Sequence, residues 1–247
     1  MIGGSPACAD RASFAAHAPY ILLAALLAGD ILFMTLHWLH LHSTVLRSEL
    51  WSIERDGSFG EMYQYLKYLG VGLALAHLYR STRLPVLLGW IGVFAFLLLD
   101  DSMRIHERFG LGMVAWIHLP DFGGLRGRDL GELIFAGLVV AILAPVLALG
   151  YVRGSPASRA LTADLSVLLA ALAACAVGGD TIHRLLSGTA LNTLAGMIED
   201  GGEMIALSLT SFYIAQWVPY RASTPEAVRF RPGSRLLTLA FARPLSE

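Results

Sequence analysis

Charge and cysteine are what this sequence has least of. Only 15% of its 247 residues are charged while 55% are hydrophobic, and mean hydropathy is +0.60. Average soluble usage is about 25% charged, so a disordered chain is excluded and an ordinary soluble domain disfavoured. The two cysteines, Cys8 and Cys175, cannot build a disulfide framework, and no CxxC or Cys/His zinc spacing occurs. The 18 Lys+Arg nearly cancel the 19 Asp+Glu, which leaves no net attraction for nucleic acid. Also absent are the HExxH zincin box, the GxSxG elbow, the P-loop and the dinucleotide fingerprint.

What is present is long apolar runs. A hydrocarbon core of about 30 Å requires roughly 20 mostly apolar helical residues. Six stretches answer to this, near 19–42, 61–79, 84–108, 130–151, 161–186 and 192–218. Turn residues punctuate the gaps, as in Asp56-Gly57-Ser58 and Gly154-Ser155-Pro156. The expectation is an all-α polytopic membrane protein: a six-helix transmembrane domain over 1–220, then an Arg-rich tail over 221–247. The first stretch runs on through Leu41, too long for a signal-peptide core, and is read as a retained helix.

Six crossings would put both termini on one side. That side holds Arg11, Arg80, Arg83, Arg153, Arg159 and five tail arginines, but only Asp10, Asp164, Glu226 and Glu247 among the acids. Basic segments stay in the cytoplasm, so both termini are placed inside and the acidic side faces the periplasm or exterior of an inner membrane. Tyr20, Tyr151, Trp217 and Tyr220 stand where an inner aromatic belt belongs. The tail is read as lying on anionic headgroups or docking a partner subunit.

Most acids of the outer side are not in loops. Glu61 opens the second span; Asp100, Asp101, His106 and Glu107 end the third; Glu132 opens the fourth; Asp180 and His183 end the fifth; Glu199, Asp200 and Glu203 open the sixth. Alternating helix direction therefore gathers residues from five helices at one depth in the outer half of the bilayer. Spacings of three, four or seven put Asp100, Arg104 and Glu107 on one stripe, and Glu61, Gln64 and Tyr65 on another.

Charges near a helix centre cost about 2.5–3.5 kcal/mol each on insertion scales, so these acids should face the bundle. Two carboxylates about 4 Å apart still repel by roughly 4 kcal/mol at an effective dielectric near 20. Arg104, Arg184 and Lys67 are too few to balance them all. Protonation, water or a bound cation must make up the difference.

Two histidines among several acids have the composition of a carboxylate-bridged two-metal site in a helical bundle. Asp180-x-x-His183 is a shortened form of the Glu-x-x-His pair, whereas Met103 stands where the acid before His106 would be. The expected ligands are His106, Glu107, Asp180, His183, Glu199 and Glu203, with Asp100, Asp101, Glu132 and Glu61 as supporting or alternate donors. Oxygen and imidazole ligands suit a divalent iron, manganese or zinc. The competing readings are a structural salt-bridge network and a cation or proton path. The path finds few inner stations, chiefly Asp164 and His77.

Weaker signals remain. Met113 to Pro120 is too short to span and is read either as an interfacial lid over the cluster or as a surface loop. Gly201-Gly202 permits close helix approach. His37, His40 and His42 are histidines at a helix mouth with no role assigned.

The motifs Glu61-x-x-Gln64-Tyr65-x-Lys67, Asp100-Asp101-Ser102 with His106-Glu107, Gly131-Glu132-Leu133, Asp180-x-x-His183 and Glu199-Asp200-Gly201-Gly202-Glu203-Met204 together resemble a group of bacterial multi-pass membrane proteins over about residues 51–210. The resemblance implies that these polar positions belong together and implies no activity. The pattern is also loosely similar to membrane metallohydrolases of the ceramidase and adiponectin-receptor type, whose serine and paired late histidines have no clear match here.

The expected function is a membrane metalloprotein that acts as a metal-dependent oxidase or hydrolase on a small or lipidic substrate from the outer leaflet. Tyr65 and Arg104 would orient the substrate or supply a proton. The alternatives are a cation or proton transporter, and an accessory subunit held by membrane partners.

Overall fold

The computed structural model describes residues 6–218, with side chains from residue 17 onward. These residues fold into α1 (Pro6–His42), a 3-10 turn (Glu49–Trp51), α2 (Phe59–Thr82), α3 (Val86–Met103), α4 (Ile105–Ile117), α5 (Gly127–Val152), α6 (Pro156–Ala173), a π-helical turn (Ala174–Gly179), α7 (Asp180–Leu185) and α8 (Asn192–Trp217). Among the described residues one isolated bridge, Phe122 to Leu125, is the sole β-type pairing. Tyr220 and the 221–247 tail lie outside the described residues.

Local chemistry sets the boundaries. Ser58 accepts the Glu61 amide at 3.2 Å and the Glu61 carboxylate reaches back to the Gly57 amide, a reciprocal cap that starts α2. Arg83 ends it in the left-handed region, two residues before Pro85. Ser155 caps α6 with Pro156 in its first turn.

The centre of the bundle is α2, α3, α6 and α8. Leu75, Leu78, Leu87, Trp90, Leu161, Leu165, Leu207 and Ile214 are fully shielded there. α1 packs on α8, where a Cβ at Gly201 would stand 2.7 Å from the Met34 methyl. α5 stands outside this core, and its most apolar window buries no residue.

Four helical stretches are long and apolar enough to cross a membrane: His17–His42, Val86–Met103, Gly127–Val152 and Pro156–Leu185. The last takes in α6, the π turn and α7 as one rod. α2 and α8 have the length without the apolar composition. They are central helices, and their polar residues Gln64, Lys67, Ser208 and Thr210 are buried in protein.

The stretch expected as a single helix over 84–108 is two. Arg104 adopts φ 52°, its amide closes on the carbonyls of Asp100 and Asp101, and α4 departs in a new direction. Asp100 then caps α4 by accepting the His106 amide at 2.9 Å. The common stripe of Asp100, Arg104 and Glu107 therefore does not exist, because helical spacing does not carry through a left-handed residue. The segment read as lid or loop is helical as far as Ile117 and lies against α5.

Candidate functional site

Deepest among the polar groups is a dry knot. Lys67 Nζ donates to Asp30 Oδ1 at 2.6 Å, to the Met204 carbonyl at 2.8 Å and to Ser208 Oγ at 3.2 Å, while Ser208 donates to Asp30 Oδ2 at 2.6 Å. Every acceptor of Asp30 and donor of Lys67 is thus directed within protein. The knot joins α1, α2 and α8, and its role is packing.

One turn outward along α8 lies a cavity of about 480 Å³ between α3, α5, the α6–α7 rod and α8. Its wall carries twelve carboxylates, three arginines and one histidine. The carboxylates crowd the outer end, and the inner end is lined by Val93, Leu97, Val139, Leu143, Leu147 and Leu172. The cavity is therefore polar at the mouth and apolar at the floor.

Many of the acids have cations. Arg128 spans Glu107 at 2.7 Å and Glu132 at 2.8 Å. Arg184 reaches Asp180 at 3.1 Å and Asp129 at 3.4 Å, and Arg126 closes on Asp129 at 2.8 Å. Arg104 pairs with Asp56 at 3.1 Å. His106 Nδ1 lies 3.3 Å from Asp100, and His183 Nδ1 lies 2.7 Å from Glu199. Arg126 and Arg128, from the segment opening α5, supply compensation that counting arginines inside the spans had missed.

Three acids are left over. The side chains of Asp101, Asp200 and Glu203 line the cavity and make no hydrogen bond or ion pair among the described residues. They are close enough to repel one another. Beside them Gln64, only 8% exposed, lines the same wall and has a shielded Oε1 without a hydrogen-bond partner. Leaving such a group unmatched costs about 1–3 kcal/mol, and the three carboxyl groups beside it have no ion pair to hold them.

Of the expected ligands, Glu61, Asp100, Asp101, His106, Glu107, Glu132, Asp180, Glu199 and Glu203 all line the cavity. His183 stands behind it, holding Glu199. Among the described residues no group of three or more His, Cys, Asp or Glu side chains is arranged to hold a metal ion. Arg104 lies on the wall; Tyr65 lies off it and donates to Glu61. Of the mouth histidines, His40 bonds the Leu46 carbonyl at 2.7 Å and His42 stacks on Trp38 at 3.9 Å, which assigns both to local structure.

Glu54 was not singled out in the sequence, where it is one acid in a polar loop. Fully buried His37 accepts the Ile53 amide at Nδ1, 3.3 Å away, which leaves Nε2–H facing Glu54 Oε1 at 3.5 Å. A Cβ at Gly196 would collide with that oxygen and stand 2.9 Å from His183 Cε1, so Glu54 reaches the outer edge of the His183–Glu199 pair. The His37 imidazole facing it at 3.5 Å holds the Glu54 carboxyl below its ordinary value of 4.5, against the opposing effect of burial. A carboxyl with a depressed folded-state value contributes stability above its unfolded value and loses it as pH falls through the folded one. Hydrogen exchange at the Ile53 amide is accordingly expected to quicken below about pH 4.5, a change that Glu54→Gln should abolish. Equal protection at pH 7 and pH 3 would show that this tie does not hold the loop.

Long apolar helices and an apolar exterior around buried polar groups define the class: a helical membrane protein with a mixed polar and apolar cavity. The family described as Domain of unknown function (DUF8692) matches residues 21–217, and the chain belongs to it. Comparison with curated proteins and with solved structures gave no match.

Proposed function

We propose that the protein is a six-span inner-membrane metalloprotein with both termini cytoplasmic and its cavity in the periplasmic half. There it would act as a metal-dependent oxidase or hydrolase on a small or lipidic substrate. α2 and α8 are counted as crossings because their polar residues are turned into the bundle, where lipid does not meet them. The observation that carries the reading is the cluster of three carboxyl groups, Asp101, Asp200 and Glu203, that line the cavity without an ion pair.

The chemistry of that donor set fits a hard divalent ion. Three carboxyl groups brought together without a cation, with an amide beside them, offer oxygen ligands of the kind that iron, manganese or zinc accepts. His106 and His183 each engage a carboxylate through Nδ1, the arrangement that orients a ligating imidazole in metal sites. A bound metal would supply Lewis acidity or an activated water. Arg104, on the cavity wall, would position a polar group of the substrate, and the Arg128 pairs would hold α4 and α5 together beside it.

Elemental analysis of the purified protein tests this. The expected result is a stoichiometric divalent metal that is lost on Glu203→Gln or Asp101→Asn and retained on His42→Ala, because His42 is spent on Trp38. A metal-free protein that conducts cations in liposomes, with flux lost on Glu199→Gln, would replace the metal reading with transport. A metal-free, non-conducting protein recovered only with partner subunits would replace it with the accessory reading.

A further inference from the structure

The floor of the cavity has a feature that a metal reading does not require. On α5 the residues Ala136, Val139, Val140, Leu143 and Leu147 follow helical spacing and form one apolar stripe. The stripe faces the bundle across the cavity, opposite Val93 and Leu97 of α3 and Leu169 and Leu172 of α6. Protein interiors are close-packed, with few voids larger than a water. An apolar void of this kind does not hold water either. Leu143 and Leu147 pack on the core at the inner end, and above them the apolar walls of α3, α5 and α6 leave room for an apolar occupant.

The dimensions indicate which one. From Phe135 to Leu147 the lining runs along about 18 Å of helix at the α-helical rise. One leaflet of a bilayer core is about 15 Å deep. A single extended alkyl chain matches that length. The wall above it holds twelve carboxyl groups against three arginines, with Arg126 and Arg128 paired to it from behind, so acids still outnumber cations and a headgroup of net negative charge would be repelled where the chain has to end.

We infer that the apolar floor is a slot for the alkyl chain of a single-chain amphiphile whose headgroup carries no net negative charge and rests among the carboxylates of the mouth. This rests on the proposed lipidic substrate and gives it a class; it does not depend on which metal is bound.

The test uses full-length protein in phosphatidylcholine nanodiscs, with dodecylamine, dodecanol and dodecanoate as probes read by native mass spectrometry. Dodecylamine and dodecanol are expected to bind, and dodecanoate at least tenfold more weakly. Ala144→Trp fills the slot and should move the preference toward octyl chains. Leu147→Ala, at the inner end, lengthens it and should move the preference toward hexadecyl chains. Misfolding cannot produce opposite shifts, so the pair reads the slot and not the fold. Equal binding of dodecanoate, unchanged chain preference in both variants, or a slot filled by a second copy or partner helix in place of any chain would overturn the inference. Elemental analysis of the same samples separates the two ideas. Chain binding by a metal-free protein would end the metal reading alone, and metal retained without chain binding would end the slot alone.

Discussion

Replacing Asp30 by leucine is expected to destabilise the bundle by about 3–5 kcal/mol, the cost of leaving one buried charge without its partner. The reason lies in the geometry around Lys67. Its ammonium has Asp30 at 2.6 Å, the Met204 carbonyl at 2.8 Å and Ser208 at 3.2 Å, and the side chain is buried. Without the carboxylate, two neutral oxygens must solvate a full charge, and Ser208 loses the acceptor it holds at 2.6 Å. Lys67→Met on its own should be similarly damaging, because Asp30 would then keep only the Ser208 hydroxyl. The double variant Asp30→Leu/Lys67→Met should recover most of the loss, since apolar residues of similar volume often replace a buried pair without penalty. Denaturation in detergent micelles, followed by near-ultraviolet circular dichroism, reads all three. A single variant as stable as the parent would show that the knot contributes nothing.

Gly131→Leu should detach α4 from α5. A Cβ at Gly131 would stand 2.7 Å from the Gly110 Cα, and a Cβ at Gly110 would stand 2.7 Å from the Arg128 carbonyl. Both obstacles are backbone, so no rotamer change relieves the clash and one helix must move. Overpacking of this kind costs about 1–3 kcal/mol and more where the neighbour cannot yield. The movement also pulls Arg128 from Glu107 and exposes two carboxylates to each other at the cavity wall. Gly137→Leu is the matched control, because nothing lies within 4 Å of a Cβ there. The melting temperature of the reconstituted protein should drop for Gly131→Leu and hold for Gly137→Leu. Equal behaviour of the two would show that the α4–α5 approach is loose.

Much of the architecture is legible in the residues taken one stretch at a time. Apolar run length places the helices at 130–151 and 161–186 and the C-terminal end of 19–42 to within a few residues, and helices also form at 61–79 and 192–218, though their composition falls short of a membrane span. The convergence of acids was legible as well. Alternating helix direction forces Glu61, Asp101, Glu132, Asp180 and Glu203 to one end, and the cavity wall includes all five.

The break at Arg104 was not legible. A left-handed arginine has no local signature, and it persists because its amide closes on two carbonyls while its guanidinium reaches Asp56. Nor did composition distinguish the acids that have cations from those that have none. Arg126 and Arg128 precede the apolar run, so a count of charges inside spans omits them, yet α5 carries them back over Asp129, Glu107 and Glu132. Glu54 is hidden for the same reason: a loop acid acquires a role only through a buried His37 sixteen positions upstream of Ile53.

The sequence alone determined that this chain is helical, that its apolar lengths match a membrane, and that its acids accumulate at one end. These follow from local quantities, hydropathy and helical period, which each segment carries by itself. Which acids stay unpaired, and that apolar side chains of α3, α5 and α6 frame a slot beneath them, was decided only by tertiary structure. Ion pairing and empty volume are properties of the distances between segments, and no segment contains them.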